Sequence, residues 1–418
     1  MLCPYPDCGQ DIPPAAHVLY CSSCAQPSFL CPHCGTANRT FARRCRSCGK
    51  HINLADLLAL PTDRFAQREL GRVQPIKLGE VRGLCPELTV YGGYLWGVSF
   101  YGDLYKLART DTRLKTCGKL PGNGFIYPLF VDEDDTKGPL LYVNNTDRLY
   151  RFYLLTMRYE EVLALDNAGE SFASGVVNFK EHYYFLLRKG ERGETVVVKC
   201  KGTDEWEYPL TGLSLLDWLG NPLRRIGDSL WVFTKEKLLI FPKFARAAVT
   251  ELAWTPWRIF LSAAGVWYSE KESSDRFGEK QTLTRVSFEE QKINAGSFRD
   301  LLPITDKIVI NPADGHLAIV SAQTIRVLDF NLNVVGSSKP GTFDDIGTPD
   351  GLLLSPDILF WFEAAKQTVC GWPIKLENKV WQLSSFASPI NFSGFFLNDS
   401  CLYGLAHEEI WRWDLLGS

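Results

Sequence analysis

Tyr101-Gly-Asp-Leu-Tyr-Lys-Leu-Ala108 is a tight turn feeding a short strand. Gly102 and Asp103 are turn formers, and Leu104 to Leu107 mix apolar and aromatic side chains in the way a half-buried strand requires. Just upstream, Leu95-Trp-Gly-Val98 is a second run of the same kind, so the two read as a hairpin. The hairpin recurs along the chain. Its first members start at Leu95, Leu141, Tyr183, Leu230, Val266, Leu317, Ile358 and Leu402, between 36 and 51 residues apart. Its second members start at Leu104, Leu149, Thr195, Leu238, Leu283, Ile325, Val369 and Ile410. A further strand precedes each hairpin, as in Ile259-Phe-Leu261, Ile308-Val-Ile310 and Phe395-Phe-Leu397. Turn dipeptides such as Gly227-Asp228, Asp314-Gly315 and Asn398-Asp399 separate them.

A repeat of about 40–50 residues with several short strands per unit is the pattern of a β-propeller. The expected fold class is therefore mainly β, with a propeller over residues 75–418. Eight units fill that span, with seven as the alternative count. The last unit holds only three strands before the chain ends. Pro75-Ile-Lys-Leu-Gly79 can supply the fourth, so residues 75–80 are expected to pair with the last blade and remove the open edge.

The first fifty residues are built differently. Eight cysteines come as pairs, Cys3/Cys8, Cys21/Cys24, Cys31/Cys34 and Cys45/Cys48, and no tryptophan is present. Two thiolates on one tight turn grip one side of a tetrahedral zinc, and a second such knuckle closes it. Four knuckles make two Cys₄ sites, so two Zn²⁺ ions are the expected cofactors. Four thiolates leave no position for water, which argues for structural rather than catalytic metal. Fifty residues bury too little apolar surface to fold alone, so metal binding would supply the folding energy. Sequential pairing of the knuckles, first with second and third with fourth, is the expectation, with an interleaved cross-brace as the alternative. Residues 51–74, with Asn53-Leu-Ala-Asp-Leu-Leu-Ala-Leu60 ahead of Pro61, read as a short helical linker.

Composition sets broad limits. The chain of 418 residues carries a net charge of −3, so no overall field recruits nucleic acid or a membrane. No secretory signal and no apolar run long enough to span a bilayer is visible. The remaining cysteines, Cys85, Cys117, Cys200, Cys370 and Cys401, are odd in number and scattered, which fits a reducing compartment. A cytoplasmic protein is the expectation.

Two resemblances add to this reading. Cys31-Pro-His-Cys34-Gly and Cys45-Arg-Ser-Cys48-Gly, with the earlier two pairs, resemble a double zinc ribbon over residues 1–50. Tyr101–Ala108 and Asn145-Thr-Asp-Arg-Leu-Tyr150 resemble the quinoprotein-type repeats of eight-bladed propellers. WD40-like propellers are a looser likeness, since Trp413-Asp414 is the only Trp-Asp pair. Ribbons with Cys-Pro-x-Cys-Gly are common in bacterial multidomain proteins of ATPase-linked and phage-defence assemblies. That resemblance implies a subunit of such a multiprotein system.

Candidate chemistry outside the knuckles is sparse. Arg39, Arg43, Arg44 and Arg46, with Lys50, make the second ribbon basic, and the spacing around Asn38 and Phe41 resembles zinc fingers that grip single-stranded RNA. A solvated or protein-docking face explains the same charges. Asp132-Glu-Asp-Asp135 could offer oxygens to a cation, yet consecutive residues point in different directions and a solvated acidic loop suffices. His182, His316 and His407 are far apart and lack a nucleophile motif, and no Cys-Cys pair of the quinone-enzyme kind exists. Trp254 and Trp257 flank Thr255-Pro256 between units, where exposed aromatics could anchor a partner, and Trp206 and Trp218 also fall outside the expected strands. The expected role is a non-enzymatic scaffold that binds proteins through propeller and ribbon, with no small-molecule substrate inferred. A nucleic-acid adaptor and an enzyme with a site in the propeller channel are the alternatives.

Overall fold

The computed structural model describes residues 73–415, apart from short loop segments of which 339–349 is the longest, and also residues 18–20, 27–30, 36–39 and 44–50. Two parts are distinct: a small three-stranded sheet near the N-terminus and a ring of eight larger sheets. The helices expected within 51–74 lie almost wholly outside the described residues.

The chain forms an eight-bladed β-propeller. Each blade is an antiparallel meander running outward from the ring centre, four-stranded in six blades and with a fifth short strand in blades 3 and 5. Blade 4 shows the plan: Leu223–Ile226, Ser229–Phe233, Lys237–Pro242 and Thr250–Ala253, hydrogen-bonded in that order. Exposure follows radius. The second strands, such as Ser229–Phe233, Leu317–Val320 and Ile358–Glu363, are buried throughout. The outermost strands, such as Thr250–Ala253 and Val334–Ser337, are half-exposed. A middle strand has a blade on each face, so it reads as an unbroken apolar run rather than an alternating one.

Alternate side chains of a middle strand feed alternate seams. Leu141 and Val143 pack towards blade 1, while Leu140 and Tyr142 pack towards blade 3. Eight hydrophobic clusters result, each shared by two neighbouring blades. The blade 7–8 seam is the most aromatic, with Phe360, Phe362, Phe392, Phe395 and Trp413 packed together. Trp206 belongs to a strand, Asp204–Pro209 at the rim of blade 3, and not to a connection as its sequence setting suggested.

Blade 8 is assembled from both ends of the ring. Gly394–Asn398, Cys401–Ala406 and Glu409–Asp414 come from the end of the chain, and Ile76–Glu80 from the start of the propeller. The register runs Glu409↔Glu80, Ile410↔Gly79, Trp411↔Lys77 and Arg412↔Ile76. Leu78 and Val81 enter the blade 8–1 seam with Leu95, Leu107, Tyr403 and Ile410. The buried Arg412 donates to the carbonyl of Asp111 in blade 1 at 2.6 Å and binds Asp414. Lys77 bridges Glu409 at 2.6 Å and Glu80 at 2.9 Å.

Candidate functional site

The small sheet pairs Val18–Tyr20 with Pro27–Leu30, and the latter with Ala37–Arg39. Tyr20 opposes Pro27 at one end, and Leu30 opposes Ala37 at the other. Of the predicted metal ligands, Cys45 and Cys48 are described; Cys3, Cys8, Cys21, Cys24, Cys31 and Cys34 lie outside the described residues. Cys45 is buried and Cys48 exposed.

Residues 45–50 form a tight turn closed by Gly49 N–H to Cys45 O and Cys45 N–H to Lys50 O, both at 2.9 Å. Gly49 has φ +68°, the left-handed conformation that a glycine adopts without strain. Ser47 N–H points at Cys45 Sγ from 3.4 Å, and Asn38 Nδ2 approaches the same sulfur at 3.6 Å. Asn38 is itself buried. Its Oδ1 accepts from Arg46 N–H at 2.8 Å, and its Nδ2 donates to Thr36 O at 2.7 Å. Two N–H donors on one sulfur favour the thiolate, the form a metal needs. Cys45 and Cys48 with these donors have the chemistry of half a structural zinc site, and among the described residues no third ligand stands with them. Arg44, Arg46 and Lys50 are exposed around it, while the side chains of Arg39 and Arg43 lie outside the described set.

The ring has two loop faces. One, here the upper face, carries the turns between second and third strands together with the connections from blade to blade. Four of its large apolar side chains stand exposed: Phe100 at 46%, Tyr101 at 42%, Trp257 at 43% and Leu301 at 52%. The other exposed large apolar residues among those described are Tyr159, Val334 and Val335, all on rim strands. The lower face has none among the described residues. Of the tryptophans flanking Thr255-Pro256, Trp257 is exposed under Lys271, whose Nζ lies 3.8 Å from its ring centroid. Trp254 corrects the sequence expectation. It is 4% exposed, packs into the blade 4–5 seam and donates Nε1–H to Thr234 O at 2.9 Å. Trp218 lies outside the described residues.

The inner strands bordering the channel are mainly apolar, with Ile259, Phe260, Ile308, Val309 and Leu352 half-buried. Two of their cations, Arg258 and Arg225, are engaged by the ring itself. Arg258 donates to Asp306 O and Ile304 O, and Arg225 donates to Gly227 O while stacking on Phe179.

The three propeller histidines fall in blades 3, 6 and 8. His182 begins a strand, His407 occupies a turn with φ +52°, and His316 Nδ1 lies 3.0 Å from Asp314 Oδ1. That carboxylate holds the His316 pKa above its ordinary value. Asp132 ends a strand, and the rest of its acidic run lies outside the described residues. Burial pushes the thiols of Cys117 and Cys200 up to about 11 and that of Cys370 up to about 12, so these cysteines stay protonated at neutral pH. No helix among the described residues is long and apolar enough to cross a membrane.

No protein-family model and no curated protein matches the chain. Among solved structures, it is similar to the computationally designed Ika8 protein (11% identity, 82% of this chain and 100% of that one, TM-score 0.49). It is also similar to a streptogramin B lyase (11% identity, 83% and 99%, TM-score 0.41). A third likeness is to the Cps50 (Swd1) β-propeller domain of Myceliophteria thermophila (10% identity, 82% and 99%, TM-score 0.42). Such likeness concerns the fold alone. The strand order and register above define the class of protein as an eight-bladed propeller.

Proposed function

We propose that this chain is a non-enzymatic scaffold that holds partner proteins on the upper face of its propeller and through a zinc-ordered N-terminal module. The observation that carries the reading is that exposed Phe100 and Tyr101 in blade 1, and exposed Trp257 and Leu301 on either side of blade 5, all lie on the same loop face. Exposed apolar side chains on a rigid scaffold mark interaction surfaces. The engagement of Arg225 and Arg258 by the ring and the raised thiol pKa values of Cys117, Cys200 and Cys370 support a role without catalysis. By resemblance, the setting is a cytoplasmic multiprotein assembly of the ATPase-linked or phage-defence kind.

Cys3, Cys8, Cys21, Cys24, Cys31, Cys34, Cys45 and Cys48 would hold two Zn²⁺, and the metal would supply folding energy for the module. Sequential pairing is the better fit. Asn38 joins Cys45 to Thr36, next to the sheet end where Leu30 opposes Ala37. The connection carrying Cys31 and Cys34 leaves from that same end. The connection carrying Cys21 and Cys24 leaves from the far end of Pro27–Leu30, about 10 Å away at the usual rise per residue. Elemental analysis should find two zinc ions per chain. Asn38→Ala should weaken zinc retention about 10–100-fold against a chelator, as loss of a group supporting a metal ligand does. Unchanged retention would remove Asn38 from the site.

The scaffold reading is tested by affinity capture from the native host with the intact chain and with a version lacking residues 1–50, identifying bound protein and nucleic acid. A discrete protein held by both versions supports it. A second reading, a nucleic-acid adaptor, draws on exposed Arg44, Arg46 and Lys50 in a stretch with no acidic residue between Asp11 and Asp56. It requires recovered nucleic acid that depends on residues 1–50 and weakens steeply with salt.

A further inference from the structure

The turn between second and third strands is built on one device in blades 1, 2, 4 and 6. Ser99, Asn145, Thr234 and Ser321 each donate a backbone N–H across it, to Asp103 O, Arg148 O, Lys237 O and Thr324 O respectively. In blades 2 and 4 the enclosed residues are polar: Thr146-Asp147 and Lys235-Glu236. Blade 1 has one residue more and encloses Phe100-Tyr101-Gly102. The fold does not need these rings, because the polar turns of its sister blades do the same structural work.

The longer turn is nonetheless held on every side. Ser99 Oγ accepts from Tyr101 N–H at 3.2 Å and Asp103 N–H at 3.0 Å. Phe100 N–H donates to Gly83 O at 2.7 Å, and Phe100 O accepts from Gly124 N–H at 2.8 Å. Leu120 N–H donates to Gly102 O at 2.8 Å. The turn is thus tied to the blade 8–1 connection on one side and the blade 1–2 connection on the other. Tyr101 lies directly on Gly83, where a Cβ would stand 2.9 Å from the ring. The two rings meet edge-to-face at 5.7 Å. Beside them stands exposed Arg82, its guanidinium carbon 6.0 Å from the Tyr101 centroid. Among the described residues Arg82 has no carboxylate partner.

Rigid aromatics next to an exposed arginine are the residue types that dominate binding energy at protein interfaces. Pre-organisation lowers the ordering cost of using them. We propose that Phe100, Tyr101 and Arg82 form a docking ridge for a folded protein whose surface offers an apolar pocket edged by a carboxylate. This rests on the scaffold reading and narrows it to one place and one partner chemistry. The carboxylate complements Arg82, and the pocket takes the two rings.

The test places a photo-crosslinking phenylalanine analogue at position 100 of the full chain in its native host, with a control at Arg113 on the lower face. The expected result is one protein crosslinked from position 100 and not from 113, with Asp or Glu beside the crosslinked apolar residues. Arg82→Glu should cut that crosslink about tenfold or more, and reversing the partner's acidic residue to lysine should restore it. Equal crosslinking from both positions, a contact site with no acidic residue, indifference to Arg82→Glu, or crosslinked nucleic acid would each overturn the proposal. The doubly substituted Phe100→Ser, Tyr101→Ser chain separates the two claims. Its melting temperature should stay unchanged, since both rings are exposed. If it still captures the partner, the ridge is wrong and the scaffold stands; if the intact chain captures no protein, both fall.

Discussion

Blades 4 and 8 are the same object made in two ways. Blade 4 takes its four strands from one stretch, Leu223 to Ala253, whereas blade 8 borrows its rim strand, Ile76–Glu80, from more than three hundred residues upstream. Their rim strands even carry matching ion pairs, Lys237–Glu251 and Lys77–Glu409. Local bonding is alike, and what differs is the chain connection that the bonding closes. A rim strand in blade 4 is held in place by its own hairpin. The rim strand in blade 8 holds the ring shut.

The comparison is broken most directly by deletion. Removing residues 1–50 should leave a cooperatively melting propeller, while removing residues 1–80 should abolish cooperative melting and produce aggregates on size-exclusion chromatography. The second deletion opens the Glu409–Asp414 edge and strips the blade 8–1 seam of Leu78. Grafting residues 73–83 behind a flexible linker at the C-terminus of the deleted chain makes blade 8 contiguous, and folding should return. Failure of the graft would mean that closure depends on something other than strand pairing.

A finer cut compares single leucines on the two rim strands. Leu78→Ala should cost about 2–5 kcal/mol in denaturant unfolding, the range for a buried leucine. Leu252→Ala in blade 4 should cost less, because Leu252 is only half-buried. Equal losses would show that the closing strand bears no special share.

The smallest effect belongs to the ion pairs. Lys77→Met and Lys237→Met should shift the melting temperature equally and slightly, as exposed pairs do. Lys77 holds the Glu409 carboxyl below its usual pKa, so that pair's contribution is present above the unfolded value and fades as pH falls through the lowered one. Melting followed from neutral pH down through about pH 3 should show the Lys77→Met difference shrinking towards zero on the acid side.

Much of this fold is legible in the residues. Middle strands such as Leu230-Trp-Val-Phe233 are apolar without a break because both faces are covered, and that makes the repeat visible. Counting three strands in the last unit points to Pro75–Gly79 as the candidate fourth, and the structure pairs Ile76–Glu80 there. Exposure is another matter. Trp254 and Trp257 stand three residues apart in one connection, and only packing against Phe233 and Tyr268 decides that the first is inside. Tyr101 reads as part of a repeat, and its position on a ridge follows from contacts with Gly83 and Gly124, which belong to other connections. The available signal was length, since the blade 1 turn exceeds those of blades 2, 4 and 6 by a residue. The role of Asn38 was hidden as well, because its tie to Cys45 joins residues seven positions apart.

The borrowed strand also sets an order of events during synthesis. Ile76–Glu80 leaves the ribosome more than three hundred residues before its partner Glu409–Asp414. At about 5–20 residues per second, the early strand waits some tens of seconds with its hydrogen-bonding edge unmatched. Throughout that interval the nascent ring is an open arc, and the species presented to chaperones is a crescent rather than a disc.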